Sequence, residues 1–307
     1  MPSVVEQENS SAPLVPTVNI ATFLADLDSP AAELVIHSVH QACTTSGFFQ
    51  ITGHGLPEEL QRDLSQASRK FFALGFQEKT KLDAKTMIGH RGYDILASQS
   101  YHEDVLLDLE EGFCVGYDML LNDPEVQARR FFVGPNREFR LPVEAYFQAI
   151  HSLALKVLDL VARTLPYGPH IFDEFTAGHT VALGVGAHTD FGAITLLLQD
   201  GQPGFEALDP KTNYFVPVHP TPNAFVFNVG DMPSVWAGDE YKSSVHRVIN
   251  KAPADRYSAA FFYDGALDCP LTPLHHKGAP DGVKEALTVE KHMIRHIMES
   301  CTLPEKS

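Results

Sequence analysis

From about residue 183 onward the chain changes character, and that change limits its fold more than any other feature. GVGAHTD, AITLLLQD, FEALDP, YFVPVHP, AFVFNVG, SSVHRVI and RYSAAFFYDG follow one another as short apolar or alternating runs. Gly, Pro and Asp separate them at roughly 8–12-residue spacing, the rhythm of a β-sandwich or barrel. Such runs are too short for helices. Successive side chains in a strand face opposite ways, so an alternating run buries one face.

Helical patterns frame this half. SPAAELVIHSVHQACTTSG reads as a helix capped by Ser29 and ending at Gly47. GFFQITG then reads as a strand and HGLP as a turn. PEELQRDLSQASRKFFALG is a second helix, with Pro57 and two glutamates in its first turn. PTVNI is a short strand upstream, and residues 77–139 are mixed, with strand-like RGYDIL and EGFCVGYD. The longest helix starts at Leu141, and DGVKEALTVEKHMIRHIMESC closes the chain as another. The reading is a single domain: a helical and mixed region over 1–140, a long helix and short connection over 141–182, the β core over 183–265, and a closing helix over 266–307.

Composition narrows the partners. Among 307 residues, 39 Asp and Glu against 23 Lys and Arg give a formal charge of −16. Such a surface repels phosphate backbones and anionic lipid, which argues against nucleic acid and membrane. Cys43, Cys114, Cys269 and Cys301 are scattered with no CxxC pair. They are expected as thiols in a reducing compartment. The N-terminus lacks a signal-type apolar core, and no apolar run reaches the ~18 residues of a membrane span. A cytoplasmic location is expected; oligomeric state is not legible.

Two His-x-Asp triplets occur, His102-Glu103-Asp104 and His188-Thr189-Asp190. At a strand end this spacing puts both side chains on one face. With 15 histidines in the chain, about one such triplet is expected by chance, so the context must decide. After Asp190 come strand-like runs, then His246, then Arg256-Tyr257-Ser258. After Asp104 the nearest plausible third ligand, His151, sits inside the long helix, and His102 reads as a solvated loop residue. Two His and one carboxylate with open positions opposite suit an oxygen-activating non-haem iron. If RYSAAFF is a strand, Arg256 and Ser258 share a face, and an inward Arg among apolar neighbours needs an anion. A dicarboxylate fits a guanidinium and a hydroxyl. The competing reading is an outward Arg256, solvated or paired with Asp255.

HTDFGAITLLLQD, FNVGDMPSVWAGDEYKSSVHRVIN and RYSAAFFYDG, in that order, resemble the iron- and 2-oxoglutarate-dependent dioxygenases related to isopenicillin N synthase. PTVNI, SGFFQITGHGLP, FFALGFQEKTKL, RGYDIL and LEEGFCVGYD resemble that family's N-terminal region, so the likeness spans about residues 15–300. It implies a mainly β fold with flanking helices, built on a distorted double-stranded β-helix (jelly roll). It implies Fe(II) on His188, Asp190 and His246, and 2-oxoglutarate on Arg256 and Ser258, with dioxygen as the oxidant. Tyr93, Phe113 and Phe262 are implied as substrate contacts, ordinary core packing being the competing reading for each. The implied reaction is hydroxylation, desaturation or rearrangement of a small organic molecule, in secondary metabolism. One departure stands out. The family's tyrosine-bearing strand before the metal loop is replaced here by TAGHTVALGVGA, with three Gly and no Tyr, which predicts a shortened, looser wall. Two rivals stay open: an oxidase that needs no 2-oxoglutarate, which would keep the same triad and Arg-x-Ser pair, and a catalytically weak binding protein, which the shortened wall motivates. A zinc hydrolase on the same three ligands is disfavoured by the Arg-x-Ser pair.

Overall fold

In the computed structural model, residues 13–86, 91–94, 111–116, 137–177, 190–249, 254–274 and 287–301 are described. Strand β1 (Thr17–Asn19) leads into a single helical turn, α1 (Ala21–Ala25). The Ser29 side chain accepts the Ala32 amide at 3.1 Å and caps α2 (Pro30–Thr45), as the sequence calls for. Gly47 follows that helix at φ +74°, where an ideal Cβ would lie 1.8 Å from the Lys242 carbonyl oxygen. Only glycine both takes this turn and lets the two backbones touch. Strand β2 (Phe48–Thr52), helix α3 (Glu58–Phe72) and the short α4 (Phe76–Lys79) complete the N-terminal region.

Strands β3 (Gly92–Asp94) and β4 (Gly112–Cys114) pair as a small antiparallel ribbon. The long helix α5 runs Arg137–Thr164, beginning before the expected Leu141. Pro142, which reads as a helix-start signal, lies inside its second turn. It leaves the Glu138 carbonyl without an amide partner there, a loss tolerated near a helix start. Among the described residues α5 is the one helix long and apolar enough to cross a membrane. Its apolar stripe, including Ile150, Leu153, Val157 and Val161, is instead buried in the protein core.

After α6 (Asp173–Thr176) come β5 (Ile194–Gln199), β6 (Phe205–Leu208), β7 (Phe215–Pro217), β8 (Phe225–Val229), α7 (Asp231–Trp236), β9 (His246–Val248), β10 (Ser258–Tyr263) and α8 (Val289–Cys301). The expected strand runs from AITLLLQD onward each contain one of these strands; of GVGAHTD, residues 184–190, only Asp190 lies within the described residues. One sheet has the order β1-β2-β8-β5-β10, antiparallel except for the β1–β2 pair, and a smaller one the order β7-β6-β9. The five-stranded sheet buries one face under the helices, with Phe49, Ile51, Leu196, Phe225 and Phe227 meeting α2 and α5. Its other face meets the small sheet through Phe48, Leu197, Val226, Phe205 and Ala207. The arrangement is the sheet-rich core with flanking helices that the strand rhythm predicts; among the described residues the two sheets do not close into a barrel.

Candidate active site

The period of two along the central strands builds the site. On β5, Ile194 and Leu196 point into the helical core, while Thr195, Leu197 and Gln199 point into the space between the sheets. Register extends this face sideways. Phe262 pairs with Thr195, Thr195 with Asn228, and Asn228 with Phe48, so one row of four side chains crosses the sheet on its cleft side.

Asp190 sits at the head of this row, buried, four residues before β5 begins. The Asn228 side-chain amide donates to its Oδ2 at 2.7 Å, and the Thr195 hydroxyl donates to the same oxygen. Donors to the charged form hold a buried carboxylate ionised. The Asp190 carbonyl accepts the Asp231 amide at 2.7 Å. Gly230 is what allows this approach, because an ideal Cβ there would lie 2.8 Å from the Asp190 carbonyl oxygen and 2.1 Å from that of Gly192. Nearby Asp264 is fully buried, and burial together with the charge of Asp190 pushes its carboxyl up to about 7.

His246, the first residue of β9, brings the small sheet into the site. Its ring is buried between Phe48 and Phe205, with centroids 5.6 and 5.4 Å away. Nδ1 faces the Ser244 carbonyl at 3.4 Å, and Nε2 faces Asp190 Oδ1 at 3.8 Å. A nitrogen and a carboxylate oxygen that face each other in a buried setting can share a cation between them. The donor set therefore fits a divalent metal. The next residue, Arg247, locks the strand in place: its Nε and Nη2 reach Glu206 Oε2 at 2.8 and 2.7 Å, and its guanidinium lies 3.7 Å over the Phe215 ring.

At the far end of β5, Arg256 Nη1 donates to the Oγ of the exposed Ser258 at 3.3 Å, while Nη2 donates to Gln199 Oε1 at 3.1 Å. Arg256 lies before β10 rather than in it, because Asp200 accepts the Tyr257 amide at 3.0 Å and ends the ladder. Phe262 is half-buried on the cleft face. Tyr93 and Phe113 pair across the β3–β4 ribbon and pack on Phe71; the Tyr93 hydroxyl donates to Glu111 at 2.6 Å. His188, the rival pair His102 and Asp104, and residues 178–187 of the expected short wall lie outside the described residues. Thr195, Asn228 and Gln199 escape the sequence reading. Their signal is a polar residue on alternate positions of otherwise apolar strands, as in FVFNV.

Comparison with known proteins converges on one family. Residues 15–137 match the N-terminal region described as non-haem dioxygenase in morphine synthesis, and residues 156–265 match the 2OG-Fe(II) oxygenase superfamily. The 2-oxoglutarate-dependent dioxygenase citB of Monascus ruber is 44% identical, over 95% of this chain and 97% of that relative. The chain belongs to the 2OG-Fe(II) oxygenase superfamily. It is a 2-oxoglutarate-dependent non-haem iron dioxygenase, using Fe(II), 2-oxoglutarate and dioxygen. Clavatol oxidase claD of Penicillium crustosum is 39% identical, over 91% of this chain and 94% of that one. This oxygenase also shares its fold with the crystal structure of a full-length Neurospora crassa protein in complex with alpha-KG and thymine, at a TM-score of 0.75 and 20% identity, over 92% of this chain and 96% of that one.

Proposed function

We propose that His188, Asp190 and His246 hold the iron of this oxygenase, and that Arg256 and Ser258 receive the distal carboxylate of 2-oxoglutarate. The observation that carries the metal assignment is the facing of His246 Nε2 and Asp190 Oδ1 across 3.8 Å in a buried, hydrogen-bonded setting. Bound iron supplies dioxygen activation coupled to oxidative decarboxylation of 2-oxoglutarate. The chain's own residues do the positioning. Asn228 and Thr195 hold Asp190 turned toward His246; Ser244 meets the other side of the imidazole; Gln199 orients the Arg256 guanidinium. Phe48 and Phe205 wall the imidazole in apolar surface and limit water there.

The substrate we infer is a small, largely apolar organic molecule of secondary metabolism, which is hydroxylated, desaturated or rearranged. The half-buried Phe262 ring on the inter-sheet face and the secondary-metabolism dioxygenases among the relatives support this. Phe262 is the candidate contact on that face; Tyr93 and Phe113, which pack on Phe71 from the β3–β4 ribbon, are the weaker candidates. A formal charge of −16 argues against nucleic acid and anionic membrane as partners, and the chain is proposed to work in the cytoplasm as one catalytic domain. The test is an anaerobic titration with Fe(II) and 2-oxoglutarate, read by the visible charge-transfer band of the chelate, followed by succinate release in air. His188→Ala, Asp190→Ala and His246→Ala should each abolish both signals, while His102→Ala and Asp104→Ala retain them. Loss of iron in the 102/104 variants instead would overturn the assignment.

A further inference from the structure

A second group of potential ligands lies outside this machinery. His292 and His296 stand one turn apart on α8, their ring centroids 4.5 Å from each other. Asp231 opens α7 opposite them, and one ligating atom from each of the three residues lies within 4.8 Å of the other two. Ligands about 2.1 Å from a tetrahedral ion stand roughly 3.4 Å apart, so this group stands close to binding distance.

The surroundings orient both imidazoles. His292 is buried, with 7% of its surface exposed, and its Nε2 faces the Phe191 carbonyl at 3.1 Å. Donation there fixes the proton on Nε2 and leaves Nδ1 with a lone pair, the neutral tautomer that metals bind. The Phe191 ring stacks on His296 at 5.2 Å and 9°. We propose that Asp231, His292 and His296 bind a divalent transition-metal ion, of the zinc, cobalt or nickel kind, that ties the closing helix α8 to the loop carrying Asp190. Two imidazoles and one carboxylate favour these ions over calcium or magnesium, which take oxygen ligands. The tie is short: Phe191 follows Asp190 directly, and the Asp231 amide donates to the Asp190 carbonyl at 2.7 Å. An ion here would fasten α8 to that loop without touching the cleft.

The experiment uses the full chain stripped with a chelator and reloaded with Zn(II) alone. Two equivalents should remain after gel filtration. The Asp190→Ala/His246→Ala variant should keep one, which Co(II) substitution would report by its visible spectrum, and the His292→Ala/His296→Ala variant should also keep one. Asp231→Asn, which preserves shape, should weaken the second equivalent at least tenfold. In the unmutated chain, Zn(II) should protect His296 from diethyl pyrocarbonate, a readout that needs no variant to fold. A single equivalent in the unmutated chain, lost with Asp190 and His246, overturns the proposal. So does His296 reacting equally fast with and without Zn(II).

Discussion

Asn228→Ala removes the side-chain amide that donates to Asp190 Oδ2, an oxygen it shares with the Thr195 hydroxyl. The carboxylate is 5% exposed, so water does not readily replace the lost amide. A hydrogen bond to a charged group contributes roughly 1.5–3 kcal/mol. Its loss should free Asp190 to rotate and leave its oxygen less well oriented, which opposes metal binding. At about 1.4 kcal/mol per tenfold, Fe(II) affinity should fall about 10- to 100-fold, the range seen when partners of metal ligands are removed. Thr195→Val tests the other donor and should act in the same direction. The double variant should lose less than the sum, because the two donors share one oxygen. The assay is anaerobic Fe(II) titration at saturating 2-oxoglutarate, with circular dichroism as the folding control. Two folded single variants that bind Fe(II) like the unmutated chain would refute both the role of Asp190 and the account of what orients it.

Three further outcomes are expected. Arg256→Leu should weaken apparent 2-oxoglutarate binding by about 2–5 kcal/mol, and Ser258→Ala by about 1 kcal/mol, in succinate assays over a co-substrate series; unchanged requirement in Arg256→Leu would remove it from the co-substrate site. Glu206→Ala strands Arg247 and should cost about 3–5 kcal/mol in urea unfolding, with loss of iron as β9 loosens; a change below about 1 kcal/mol would show the pair to be dispensable. His54 is buried with Nε2 on the Asn223 carbonyl and Nδ1 accepting the Leu56 amide, and burial holds its pKa below the ordinary 6.5. Because the folded value is depressed, its contribution to stability is complete above pH 6.5 and is lost as pH falls through the folded value. Urea midpoints should therefore drop below pH 6.5, and His54→Gln should flatten that drop; an identical pH profile in the variant would refute it.

Much of this is legible in residue order, and the exceptions have physical causes. AITLLLQD and AFVFNVG announce strands by alternation, and His246 and Arg256 stand out by spacing. Register is not legible. Nothing local to Thr195 or Asn228 says that they lie side by side beneath Asp190, because strand pairing is set by contacts distant in sequence. The expected start of α5 falls late because Leu141-Pro142 imitates a helix start while the helix already runs from Arg137. The strand expected to carry Arg256 starts two residues later, where the Asp200 carboxylate captures the Tyr257 amide and, at 3.0 Å, the Arg69 guanidinium.

The alternation along β5 also governs how such an enzyme can change over generations. Core positions and cleft positions interleave one by one, so each set can vary while the other stays still. Exchanges at Phe262 alter the inter-sheet face, yet leave Ile194, Leu196 and Phe227 untouched against the helices. Losing a single codon within β5 does the opposite. It turns every following side chain over, placing Leu196 where Thr195 should steady Asp190 and a polar group against the helices. New chemistry is therefore reached by point exchange on one face, while length changes in this strand are closed to selection.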